Sequence, residues 1–220
     1  SKYRLPTPNA STTAPIPSAI FYYKNMIFIG TEKWKGGEIN IIDVSDPRIP
    51  RYISSFETDT LVEDMYVYED VLYIATPSIK QFRALDIKDI YSIKELYSLS
   101  PSGYETQEAL KIDLFESNLL FGRTSGGFNI TKNHELFYLK NNTIDKSIDI
   151  SGGVYGIVNR EPYIYIVSTI PSHQFQIYDH NLNKIKDFEL DFSPVSMVCD
   201  RKDIYILRND NKAILVIKNT

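Results

Sequence analysis

One cysteine, Cys199, stands in the whole chain, which excludes an internal disulfide and, with no second thiol, any cysteine metal cluster. Its neighbours Met197 and Val198 continue an apolar strand pattern, so Cys199 is expected as a buried structural thiol rather than a reactive one. Basic residues form no block and the formal net charge is −4, which removes the electrostatic footprint that nucleic-acid binding requires. Apolar runs are only a few residues long, far below the roughly 20 that a spanning helix needs, and no charged and then apolar leader opens the chain. It begins at Ser1 without methionine, which suits a chain trimmed from a longer one. The paired glycines Gly36-Gly37 and Gly126-Gly127 have no phosphate-loop pattern around them and read as turns. No Ser-His-Asp constellation is recognisable, and neither a cofactor nor a metal is expected.

What is present is material for strands. Apolar residues make up 43% of 220 positions and aromatics 13%, with sixteen tyrosines, enough for one all-β domain spanning the whole chain. Five segments share one shape, an apolar strand, a tight polar turn and a second apolar strand, beginning at Ala19, Asp64, Lys111, Gly156 and Ser196. Their anchor pairs, Ile20/Ile27, Met65/Leu72, Ile112/Leu119, Ile157/Ile164 and Met197/Ile204, are all seven residues apart. A period of this length marks a radial or linear array of repeated units. The first member of each pair is expected to be buried at an equivalent position in its unit.

A third strand follows each hairpin, starting at Ile39, Phe82, Leu136, Phe175 and Ile214, and three of these close on a turn-forming aspartate, Asp43, Asp86 or Asp179. A more polar fourth strand follows from Arg51, Lys94, Lys146 and Lys186, as half-exposed edge strands do. The fifth unit stops after its third strand, while Lys2-Tyr3-Arg4-Leu5 precedes the first unit as a fourth strand precedes each later one. Residues 2–5 are therefore expected to pair with Ile214–Ile217. The fold class is all-β, a five-bladed β-propeller of four-stranded blades with the last blade closed by the N-terminal strand. The blades fall at 16–56, 62–99, 108–150, 154–190 and 195–218 with 2–5. A sandwich or irregular barrel is the alternative that alternation alone leaves open.

The stretch INIIDVSDPRIPRYISSFET, Ile39 to Thr58, resembles the LVIVD repeat, and FRALDIKDI, Phe82 to Ile90, is a weaker second copy. The later units keep only the hydrophobic frame, with Lys140 and Lys218 where the motif has aspartate. The resemblance implies a propeller and a cell-surface setting, and it carries no shared catalytic residues.

In a propeller the loops between strands two and three and those between blades share one face, and the hairpin turns share the other. The long-loop face would collect Trp34, Glu63, Asp64, Tyr104, Glu105, Glu108 and Tyr155. Aromatics beside carboxylates suit a binding site, so Trp34, Glu63, Tyr104, Glu108 and Tyr155 are its candidates. Glu63, Asp64 and Glu108 are the acids that a glycosidase would use. His134 and His173 lack a third ligand at clear spacing, and His180 belongs to the opposite face. Asn9, Asn129 and Asn141 lie in N-x-[ST] sequons within expected loops, as on a glycosylated surface protein. The reading is a non-catalytic extracellular or cell-surface binding module for a protein or glycan. Its alternatives are a small glycoside hydrolase and a purely structural unit that uses its sides.

Overall fold

Side chains alternate across a strand, so a sheet buried on both faces needs apolar residues at consecutive positions, and one half exposed needs them only at alternate ones. Both patterns occur here. The computed structural model describes residue 5 and residues 15–101, 108–115, 118–125, 134–200, 203–209 and 214–218. They form five antiparallel sheets, each strand pairing with the next in sequence, the fold of a five-bladed β-propeller.

The chain divides into two compact units, Ser1–Ser102 and Gly103–Thr220. The first holds β1 (Pro17–Tyr23), β2 (Met26–Thr31), β3 (Ile39–Asp43) and β4 (Arg51–Phe56), then β5 (Asp64–Tyr68), β6 (Val71–Ala75), β7 (Phe82–Asp86) and β8 (Lys94–Leu99). The second holds β9 (Ala109–Phe115), β10 (Asn118–Arg123), β11 (Leu136–Lys140) and β12 (Thr143–Ile148) in one blade. Its next blade is β13 (Val154–Arg160), β14 (Tyr163–Ser168), β15 (Phe175–Tyr178) and β16 (Lys184–Phe188). The last is β17 (Pro194–Cys199), β18 (Asp203–Arg208) and β19 (Ile214–Lys218), three-stranded among the described residues. Its expected fourth strand, residues 2–5, lies outside the described residues apart from Leu5.

All five third strands start at the residues expected of them. In β3 and β7 the first four positions are buried in succession, which marks them as covered on both faces, whereas β4 and β8 are partly exposed. The hairpin turns Lys24-Asn25 and Glu69-Asp70 take positive φ at both residues, the two-residue geometry that matches strand twist. Asn141-Asn142 does the same. That turn starts β12 at Thr143, ahead of the expected Lys146, and β16 likewise begins at Lys184 rather than Lys186. In the fourth blade the hairpin turn is Glu161-Pro162.

Within each unit a glycine near the end of a second strand lets the next blade approach. A Cβ on Gly30 would lie 2.9 Å from both Met65 and Val62, and one on Gly122 would lie 2.4 Å from Val154. Around Gly30 the first unit's core gathers Phe28, Ile39, Ile41, Val62, Met65 and Ile74. In the second unit Leu120, Ile157 and Ile166 belong to one core cluster, and Met197 and Ile206 to another.

The pairing register is equivalent in all five blades: Ile20 with Ile29, Met65 with Ile74, Ile112 with Phe121, Ile157 with Ile166 and Met197 with Ile206. Burial follows in four of them, from 2% exposure at Met65 to 6% at Ile112 and Ile157, but Ile20 is 69% exposed. The expectation for Ile20 is thus overturned. Met65 faces the first blade, whereas the first blade has no blade before it in its unit, and its core face carries Ala19 and Phe28 instead. Cys199 is also exposed rather than buried, because it ends β17 two residues beyond Met197, past the cover of the core. Partial shelter still pushes its thiol pKa up. Replacing Met65 by Ala should therefore cost about 2–4 kcal/mol in urea unfolding, while Ile20→Ala stays within about 0.5 kcal/mol. Equal losses would contradict the assignment of faces.

Candidate functional site at the loop ends of the blades

In the first, third and fourth blades the residue just before the third strand does two things at once, and in the second it does the first of them. Its carbonyl closes the loop from the second strand, accepting from Thr31 N for Glu38, Thr76 N for Gln81, Arg123 N for Glu135 and Ser168 N for Gln174, all at 2.8–2.9 Å. Its side chain then turns to the exit of the fourth strand. Glu38 Oε2 accepts from Thr58 N at 2.7 Å, Glu135 Oε2 from Ile150 N at 3.0 Å, and Gln174 Oε1 from Leu190 N at 2.9 Å. Each donor lies two residues beyond the end of its strand. In the second blade that position is Pro101, which has no N–H to give. Glu38, Gln81, Glu135 and Gln174 were not singled out by sequence reasoning, although acidic or amide residues at this place in four blades were the signal.

In the first unit this tie extends into a buried polar network. Glu38 also accepts from Thr58 Oγ1 at 3.1 Å, Asp59 N at 3.1 Å and Trp34 N at 3.3 Å. Thr58 O accepts from Arg83 Nη1 at 2.9 Å, and Arg83 Nε donates to Glu95 Oε2 at 2.7 Å. Burial alone would raise the Glu38 pKa, but its hydrogen-bond donors outweigh burial and hold it below the ordinary value. Glu57, which hydrogen-bonds to it, is pushed up by burial and then by Glu38 itself.

Glu135 holds the same place in the third blade with the opposite outcome. It is fully buried, one backbone N–H supports it, and Oε1 has no hydrogen-bond donor. Burial pushes its carboxyl up to about 7, helped by the neighbouring Asp149, while Arg123 pulls the other way. The Arg123 guanidinium donates Nε to His134 O at 2.7 Å and lies 4.7 Å from the centre of the Phe137 ring.

Trp34 is half-buried at the loop end of the first unit. Its indole Nε1 donates to Gly37 O at 2.7 Å, and a Cβ on Gly36 would come within 2.4 Å of the ring, so Gly36 is needed for the indole to lie flat on its own loop. Gly37 meets the expected turn role with φ +86. Thr31 O accepts from Val62 N at 3.2 Å, which brings the Trp34 loop to the segment carrying Glu63 and Asp64. Glu63 N donates to Ala75 O at 2.9 Å, and Asp64 Oδ1 accepts from Met65 N at 3.0 Å. Glu108 and Tyr155 belong to the second unit: Glu108 is exposed, with its N–H donating to Thr124 Oγ1, and Tyr155 is half-buried against the core. Tyr104, Glu105, Asn9 and Asn129 lie outside the described residues, as does Gly126-Gly127. Asn141 is exposed in the β11–β12 turn.

The histidines are placed apart. His134 Nδ1 bonds Ser147 Oγ at 2.6 Å, His173 Nδ1 lies 3.1 Å from Asp187 Oδ1, and His180 Nε2 bonds Asn159 Oδ1 at 3.1 Å near the hairpin turns. Among the described residues no three His, Cys, Asp or Glu side chains converge as a metal site.

Between the third and fourth blades of the second unit runs a groove of about 310 Å³, lined among others by Asp149, Ile150, His173, Gln176, Tyr178 and Lys184. Gln176 and Tyr178 are buried in its wall, where the Tyr178 hydroxyl donates to Gln176 Oε1.

No family model matches the chain, and no curated protein does. Solved structures do. The chain is similar to the extracellular domain of a hybrid two-component system protein from B. thetaiotaomicron, with TM-score 0.66 at 12% identity, over 96% of this chain and 29% of that one. It is similar to BamB from Moraxella catarrhalis, with TM-score 0.62 at 16% identity, over 99% and 62%. It is also similar to a chain of a Nidogen/Laminin complex, with TM-score 0.64 at 10% identity, over 93% and 76%. At these identities the likeness is one of fold.

The protonation of Glu135 gives a pH test. An unfolded chain releases this proton near the ordinary 4.5 and the folded chain holds it to about 7, so the fold loses stability as pH rises through that window. Glu135→Gln keeps an acceptor for Ile150 N and abolishes the titration. The variant should melt above the wild type at pH 8, by on the order of 2 kcal/mol, with the gap closing towards pH 5. Parallel melting curves at all pH values would contradict a buried neutral carboxyl.

Proposed function

We propose that the chain is a non-catalytic binding module that works outside the cytoplasm and holds a protein or glycan at the loop ends of its blades. The observation that carries this reading is Trp34. It is a large aromatic side chain at a loop end, half-buried, with its indole N–H fixed to Gly37 O and its backbone fixed to Glu38. A preorganised aromatic anchor of this kind loses little conformational freedom on binding, and such anchors concentrate affinity in interfaces. The carboxylates of Glu63 and Asp64 are brought near the same end of the first unit by the Thr31–Val62 hydrogen bond. Asp64, one of the acids weighed for hydrolysis, has Oδ1 engaged by the Met65 amide, a strand-opening use that favours binding over catalysis.

An extracellular setting is supported by the likeness to an extracellular domain and to a chain of the Nidogen/Laminin complex, and by the LVIVD-like stretch from Ile39 to Thr58. No helix among the described residues is long and apolar enough to cross a membrane. A second reading, assembly through the sides, is favoured by the exposed apolar residues Ile20 and Tyr22 on β1 and Val198, Leu207 and Ile214 on the last blade.

The test is a screen on a glycan array and a displayed-peptide library, followed by titration of the best ligand. Trp34→Ala should weaken binding by about 2 kcal/mol, roughly thirtyfold, with the melting temperature little changed. A ligand that binds Trp34→Ala as tightly as wild type would overturn the placement of the site.

A further inference from the structure

We infer that the groove between the third and fourth blades is a binding site for a single neutral sugar residue, separate from the surface around Trp34. Three features of the groove select this ligand class.

Two of its basic groups are already engaged by one carboxylate. Asp187 binds His173 at 3.1 Å through one oxygen and Lys184 Nζ at 2.9 Å through the other. Asp149, whose charge helps to raise the pKa of the neighbouring Glu135 carboxyl, accepts from Ser151 N at 2.6 Å. An anionic ligand would have to displace Asp187 from the pairs that the protein has made, at a cost in desolvation. Hydroxyl groups, which both donate and accept, fit a wall where donors and acceptors lie side by side.

The polar groups are also held in place. Gln176, 1% exposed, donates Nε2 to Ser168 Oγ and to His173 O, each at 3.2 Å, and accepts from the Tyr178 hydroxyl through Oε1. That chain orients the Tyr178 oxygen and the loop that carries His173, so their remaining hydrogen-bonding capacity is fixed before a ligand arrives. Burial holds the Tyr178 hydroxyl in its neutral form, with its hydrogen given to Gln176 and its oxygen left to accept.

The third feature is size and apolar character. At about 310 Å³ the groove lies at the low end of the roughly 300–1,000 Å³ of small-molecule sites. Ile150 and Leu182, both buried, and the half-buried Ile170 give it apolar patches that the C–H face of a sugar ring can cover.

The test is saturation-transfer NMR and titration with glucose, galactose and N-acetylglucosamine, set against glucosamine and glucuronate as cationic and anionic versions of the same ring. At least one neutral sugar should bind saturably and move the backbone amide signals of residues 149–151 and 173–178. Asp149→Ala should weaken that binding at least tenfold, and Ile170→Trp, which fills the groove, should abolish it. The amide shifts need only wild-type protein, so they decide the matter even where a variant folds poorly. No saturable binding of any neutral sugar, shifts elsewhere in the chain, binding that survives both substitutions, or a preference for glucosamine or glucuronate would each overturn the inference.

Discussion

In the first, third and fourth blades a hydrogen bond from the amide that leaves the fourth strand to the side chain that enters the third fixes where one blade ends and the next begins. The connection between blades is irregular, and an irregular buried backbone must find partners for its N–H groups outside a sheet ladder. Glu38, Glu135 and Gln174 supply those partners from inside the same blade. Because the carbonyl of the same residue closes the loop from the second strand, the two segments that form the loop end are pinned by one position. Trp34 depends on it directly, since Glu38 holds its backbone N–H.

The same position shows how donors decide the state of a buried carboxyl. Glu38 receives three backbone N–H groups and a hydroxyl and is held below its ordinary pKa, while burial and Glu38 itself push Glu57 up beside it. Glu135 receives one and is driven towards neutrality by burial. Where an amide serves, as at Gln174, the question of charge does not arise. The unit that carries the neutral carboxyl also carries the groove, and Asp149 belongs to both. A fully ionised Glu135 would place a second negative charge behind that wall.

Most of the fold could be read from the chain because its signals are local. The spacing of seven between anchor residues reports a two-residue hairpin turn, and it recurs unchanged in register from Ile20 to Met197. Burial was read less well, because it depends on what packs against a face. Ile20 and Met65 are equivalent in strand and register, yet only Met65 has a blade of its unit against it. Cys199 failed for a related reason, since alternation does not say where a strand passes beyond its cover. The start of β12 moved because Asn141-Asn142 makes a two-residue turn directly after β11. Of the candidate site, Trp34 was legible as an aromatic on a long loop. The support given by Glu38 was not, because a charge next to a strand reads as solvated until its partners are known.

The amide exchange rates of Thr58, Ile150 and Leu190 test the tie most directly. In wild-type protein all three should be protected although each lies outside a strand, and Glu38→Ala should release Thr58 and Asp59 while leaving Ile150 and Leu190 as they were. Unprotected amides at all three positions in the wild type, or a Thr58 that stays protected without Glu38, would contradict the account.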